Sequence, residues 1–456
     1  MQLRQLLLAL CTLPVVMAAK DPPTWVELGS GQVLARQVLE PSVTGQVGAC
    51  PSVTLTGVSQ SSIPMTARGP APSGWPAVCE AAIPAGATAA KIGNIALALP
   101  KSQISKVVVV GDTGCAGPIK SRENVTPTPE DDDEEPAAKT QKCSGGWPLK
   151  QLSKSVAKQS PDLIIHVGDY IYVSQENWTI WEEQFFTPAA DMLRAAPWIF
   201  VRGNHETCGR HGTGYFYLLD PRSAAACTSD ATDPFLVSTG GQQYVVLDSS
   251  GATCDFPMGS SSSACSGNTK VPPNQQIPTW TALLKQAQGL VQTGSAVLIT
   301  HRPVWGAKSD KGSTKPPTGF CASGSSGRVV TSLNATLQGA WAAANPTAFS
   351  TVYSGHDHLF ALLTFTQGAL PQLVVGDSGT ELAHALPGHL SNCKLGTADN
   401  PQPNQYLPLS TLDSEQKWGF GVVSGSKLDL YSSKGNVKLK CTIASTSAEC
   451  KSNKSK

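Results

Sequence analysis

The chain carries little charge and no excess of either sign, with 34 Lys and Arg against 33 Asp and Glu in 456 residues and a formal charge of +1. Bulk attraction to nucleic acid or to a membrane surface is thereby excluded as the basis of function. Only 15% of the residues are charged while 40% are hydrophobic, which excludes a disordered polyelectrolyte and leaves material for a sizeable core. No CxxC pair occurs, so the cysteines do not read as a metal–thiolate site. There is no fixed-period repeat of the kind that builds solenoids or propellers. Beyond the first residues no segment approaches ~20 consecutive apolar residues, so no membrane span is expected.

What is present begins with an export pattern. Arg4, an apolar run from Leu6 to Val16 and the small residues Ala18-Ala19 have the layout of a secretory signal peptide over residues 1–19. The expected location is secreted or periplasmic. Removing that segment takes Cys11 with it and leaves 12 of the 13 cysteines, an even number suited to six disulfides in an oxidising compartment. Twelve cysteines allow on the order of ten thousand pairings, so only local loops such as Cys254/Cys265 and Cys441/Cys450 can be singled out. Four Asn-X-Ser/Thr sequons, at Asn124, Asn177, Asn334 and Asn453, could carry glycans in an exported protein.

Residues 20–103 are rich in Pro, Gly, Ala and Ser with short apolar stretches, and read as a small β-rich segment pinned by Cys50 and Cys79. From about residue 104 to 440 short apolar runs alternate with helical patterns, such as Trp147 to Gln159 and Ile277 to Leu290. That is the signature of an α/β domain whose strands are covered on both faces. Residues 441–456 read as a C-terminal tail. The carboxylate run Glu130 to Glu135 lacks the ligand spacing of a calcium loop and reads as a solvated surface loop.

Five apolar runs each end in a potential ligand for a hard or borderline metal ion. Val107 to Val110 leads into Gly111-Asp112-Thr113-Gly114, and Leu163 to Val167 into Gly168-Asp169-Tyr170-Ile171-Tyr172. Trp198 to Val201 precedes Gly203-Asn204-His205-Glu206. Ala296 to Thr300 delivers His301, and Thr351 to Ser354 reaches Gly355-His356-Asp357-His358. Open α/β sheets bind ligands beyond the carboxyl ends of their strands, where loops from distant parts of the chain converge. Carboxylates and an amide oxygen suit hard ions, and imidazoles add affinity for iron, zinc or manganese. A single Gly-Asp at a strand end is ordinarily a turn or a helix cap. Five such clusters in one chain supply two aspartates, an asparagine and three histidines, and that conjunction points to a metal centre.

These ordered clusters resemble the five motifs of the calcineurin-like metallophosphoesterase superfamily. Tyr172, three residues beyond Asp169, and Gly114 at the end of the first motif are similar to the purple acid phosphatase branch. The likeness spans about residues 107 to 380. It implies a four-layer α/β/β/α sandwich, with the β-rich segment in front. It further implies two metal ions per chain. Asp112, Asp169, Tyr172 and His358 would hold Fe(III), and Asp169 would bridge to a divalent zinc, iron or manganese ion held by Asn204, His301 and His356. The implied reaction is hydrolysis of a small phosphomonoester by a metal-bound hydroxide, an acid phosphatase activity. His205 would be the general acid, and Asn204, His205 and Arg302 would contact substrate.

Two rival readings remain at this point. One is a phosphodiesterase of the same superfamily, acting on nucleotide or phospholipid head-group esters. The other is a non-enzymatic metal- or phosphate-binding surface protein. No histidine lies between His301 and His356, where members of the branch place substrate-facing histidines. His166, His211, His384 and His389 read as structural or exposed residues.

Overall fold

A computed structural model describes residues 21–39, 48–116, 141, 143, 145–223, 226–252, 273–309, 329–332, 334–386, 388–396 and 406–453. The leader at 1–19, the carboxylate run at 130–135, Asn124, Cys254, Cys265 and Cys321 lie outside those residues.

The architecture follows from strands that are apolar on both faces. Val107–Val110 is four consecutive valines, all buried, and pairs in parallel with Leu163–His166, which pairs in parallel with Trp198–Phe200. A second sheet carries Gln242–Val246, Ala296–Ile299, Phe349–Ser354 and Gln372–Val375, again in parallel. Side chains alternate along a strand, so each run must find cover on two sides. Val107, Val109, Leu163, Ile165 and Ile199 face the other sheet, where they pack with Val246, Ile299, Tyr353, Leu373 and Val375. Val108, Val110, Ile164, Trp198 and Phe200 face outward, against the helix Leu149–Ala157 and the aromatic turns around Trp181 and Phe185. On the far side, Val245, Leu298, Val352 and Val374 pack under the helices Pro273–Gly289 and Ala335–Ala344. The result is the four-layer α/β/β/α sandwich. The two expected helical patterns correspond to Leu149–Ala157 and Pro273–Gly289.

The N-terminal residues are built into this frame. Thr24–Gly29 pairs in parallel with Trp198–Phe200, and Gln32–Leu39 and Ala77–Ala82 extend the same sheet, while Ser52–Thr56 and Ala89–Ile92 belong to a separate four-stranded sheet. Residue 441 falls inside the strand Val437–Ile443, whose partner Ala448–Ser452 ends the first sheet.

Four disulfides join described residues, Cys50–Cys79, Cys115–Cys143, Cys208–Cys227 and Cys441–Cys450. Among the sequons, Asn334 is buried, caps the helix Ala335–Ala344 by accepting from Leu337 N, and donates its amide to the Ala252 carbonyl at 2.8 Å. That side chain has no room for a glycan. No helix among the described residues is long and apolar enough to cross a membrane.

Ile165 lies fully buried between the two sheets. Ile165→Ala should cost about 2–5 kcal/mol, because a cavity there has rigid sheet on both sides and cannot collapse; the urea midpoint reads this directly.

Candidate metal centre

The five predicted strand ends converge in the crevice where the two sheets open. Three of the five candidate ligand turns adopt unusual backbone. Asp112, Asp169 and His356 have φ of 56°, 60° and 70°, in the left-handed region where only glycine sits without cost. The glycines beside them let the turns nest. A Cβ on Gly203 would lie 2.0 Å from Asp169 Oδ1, and one on Gly355 would lie 2.3 Å from Asp112 Oδ2.

All seven predicted ligands meet in one buried cluster. Tyr172 Oη lies 3.2 Å from Asp112 Oδ1, 3.1 Å from Asp169 Oδ2 and 3.1 Å from His358 Nε2. On the other side, His301 Nε2 lies 3.2 Å from the same Asp169 Oδ2 and 2.8 Å from Asn204 Oδ1, which is 2.9 Å from His356 Nδ1. Asp169 therefore stands in both donor sets.

The chemistry of these donors fits cations. His301 Nδ1 is 2.8 Å from the Val167 carbonyl, which can only accept, so Nδ1 carries a proton and Nε2 is left to face Asn204 Oδ1 and Asp169 Oδ2. Lone pairs so close in a dry site repel unless a positive charge sits among them. Asp169, Asn204, His301 and His356 could hold one ion, and Asp112, Asp169, Tyr172 and His358 another.

The other predicted residues lie at the edge of this cluster. His205 is buried, its ring centroid 4.1 Å from that of Tyr172, and its amide donates to Asp169 Oδ1 at 3.0 Å. Arg302 is buried, with Nη1 3.2 Å from His356 Nε2. His211 is a buried histidine beside the Val173 carbonyl, and burial pushes its imidazole down to about 4, so it stays neutral.

Three residues outside the predicted site tie the candidate ligand turns together. Glu206 accepts from the amides of Asp169, Tyr170, Ile171 and Gly203 at 3.1, 2.9, 3.3 and 3.1 Å, and so ties the Asp169 turn to the Asn204 turn. His166 accepts from Gly168 N at 3.2 Å through Nδ1, so its Nε2 proton faces Thr113 Oγ1 at 2.8 Å, joining the first two turns. Ser249 Oγ accepts from the amides of His301 and Arg302 at 3.2 and 2.9 Å. Ser249 marks a sixth strand end, after Gln242–Val246, and Leu247-Asp248-Ser249 offered no glycine or histidine to signal it.

Gly203→Ala should lose the centre. The added methyl meets the Asp169 carboxylate and, at 2.4 Å, the Asp169 backbone nitrogen, so both turns must shift, and metal content after reconstitution and the thermal midpoint should both fall well below those of the parent.

Comparison with known proteins adds the following. Residues 105–360, more than half of the chain, match the family described as calcineurin-like phosphoesterase. Among solved structures, the chain is similar to the purple acid phosphatase PPD1 from yellow lupin (Lupinus luteus) seeds, at 12% identity and a TM-score of 0.49, over 95% of this chain and 74% of that one. It is also similar to PhoD, at 10% identity and a TM-score of 0.46, over 97% and 94% of the two chains. A third likeness is to GAP50, the anchor in the inner membrane complex of Plasmodium, at 11% identity and a TM-score of 0.39, over 75% and 89%. No curated protein matches. The chain belongs to the calcineurin-like phosphoesterase family.

Proposed function

We propose that this protein is an exported phosphoesterase of the purple acid phosphatase type that hydrolyses small phosphomonoesters at a centre of two metal ions. The observation that carries the reading is Asp169 Oδ2, which lies within 3.2 Å of donors on both sides and so can serve two cations at once. Two ions held in this way would neutralise phosphoryl oxygens and would lower the pKa of a bound water from 15.7 toward roughly 7. Phosphate monoesters need that help, because their uncatalysed hydrolysis is among the slowest known reactions.

The chain's own residues then have separable tasks. Asp112, Asp169, Tyr172 and His358 form the first ligand set; Asn204, His301, His356 and the shared Asp169 form the second. His205, tilted against the Tyr172 ring and held by its amide to Asp169, is the group to donate a proton to the leaving oxygen. Arg302, buried beside His356, offers a guanidinium to substrate oxygens. Fe(III) in the first set and divalent zinc, iron or manganese in the second is the assignment that a phenolate ligand favours. Four disulfides among the described residues support an exported location.

Side-by-side assay of an aryl phosphomonoester and the matching diester tests the substrate class. Turnover of the monoester, with His205→Ala lowering kcat by about 10²- to 10⁴-fold and Asp169→Ala abolishing it, is expected. Turnover of the diester alone would remove the monoester assignment. A visible absorption band that disappears in Tyr172→Phe is the expected mark of a ferric phenolate, and a colourless protein containing two ions would remove iron from the first set.

A further inference from the structure

The strand Gln372–Val375 ends in Gly376-Asp377, a strand-end Gly-Asp outside the seven candidate ligands. Asp377 is fully buried, and neither carboxyl oxygen has a hydrogen-bond partner on another described residue. A buried carboxylate without a partner is expensive enough that it needs an explanation.

The loop that carries it is packed against the turn that carries Asp112. Ser378 N donates to the Gly111 carbonyl at 3.2 Å, Gly111 N donates to Ser378 Oγ at 3.2 Å, and Thr380 N donates to the Asp112 carbonyl at 2.8 Å. A Cβ on Gly376 would lie 3.3 Å from Asp112 Oδ2, and one on Gly379 would lie 2.1 Å from the Thr113 carbonyl. The opposite side of the loop is tied to the next strand. Gly419 N donates to the Asp377 carbonyl at 2.9 Å, Ser378 Oγ to the Gly419 carbonyl at 3.0 Å and Trp418 Nε1 to the Thr380 carbonyl at 2.6 Å. The Asp377 side chain faces that second side, where a Cβ on Gly419 would lie 3.2 Å from Oδ2.

We propose that Asp377 is a positioning residue that acts through Asp112: its buried, partnerless carboxyl lets the 376–380 loop close between Gly419 and the Asp112 turn and hold that turn in its left-handed conformation. Among the described residues, the titratable groups on the packed elements are Asp112, Asp357, His358 and Glu381, with Glu415, Lys417 and Tyr431 on the opposite side. Lys417, the one lysine or arginine among them, has its ammonium 3.1 Å from Glu415. No base is therefore placed to stabilise an ionised Asp377. Burial raises its carboxyl well above the usual range, the charge of Glu415 adds to this, and its own amide opposes it only in part.

The sign of the pH effect follows from linkage. A carboxyl raised in the folded state stabilises the fold fully below its unfolded pKa of about 3.9, and that contribution is lost as pH rises toward the folded value. The loop and the Asp112 turn are thus locked in acid and loosen in base.

Asp377→Asn keeps the shape and cannot ionise. The thermal midpoint of Asp377→Asn minus that of the parent should rise steadily with pH above about 4, and the alkaline limb of kcat should move to higher pH with the acid limb unchanged. A difference in midpoint that is the same at every pH, or an unmoved alkaline limb in an active enzyme, would overturn the proposal. If Asp377→Asn does not accumulate, infrared difference spectra of the parent against Asp377→Ala decide instead. A protonated-carboxyl stretch present at neutral pH only in the parent supports the proposal, and its absence refutes it. The link to Asp112 rests on the phosphoesterase reading, but the thermal and infrared readouts do not. A protein that hydrolyses no phosphoester would therefore fail that reading while still testing Asp377.

Discussion

Seven buried side chains that offer lone pairs meet at one point, and the rest of the molecule is arranged to hold them there. Asp112, Asp169, Tyr172, Asn204, His301, His356 and His358 come from five strand ends spread over nearly 250 residues of chain, and no local structure could assemble them. Two mixed sheets do so by stacking face to face, which brings the carboxyl ends of their central parallel strands to one crevice. The cost is borne in the backbone, with left-handed turns at Asp112, Asp169 and His356, and in a crowd of acceptors that needs positive charge.

Rigidity around that crowd comes from polar groups that never reach it. Glu206 collects four amides from two turns, His166 links Thr113 to Gly168, and Ser249 holds the amides of His301 and Arg302. Such supports fix the direction of the candidate ligands, as the outer partners of metal ligands do. The 376–380 loop adds a further brace under Asp112 from the second sheet. The first two turns are therefore gripped from several directions.

Much of this was legible in the sequence, and for a physical reason. A parallel strand buried on both faces must be a near-continuous apolar run, so Val107 to Val110 and Leu163 to Val167 announce themselves, and glycine before a polar residue marks where the chain turns back over a ligand. The role of the N-terminal residues was not legible. Thr24–Gly29 looks like any short strand, and only tertiary pairing with Trp198–Phe200 makes it part of the main sheet. The braces were hidden too. A serine or glutamate that accepts backbone amides carries the same letter as one that faces water, and His166 inside a strand gave no sign that both ring nitrogens are engaged.

Diffraction from crystals of the native protein, collected on both sides of the absorption edges of iron, zinc and manganese, tests the central claim most directly. The account predicts two anomalous peaks per chain, one on each side of the Asp169 carboxylate, the first beside Tyr172 and the second beside Asn204. A single peak, or peaks elsewhere on the chain, would contradict it.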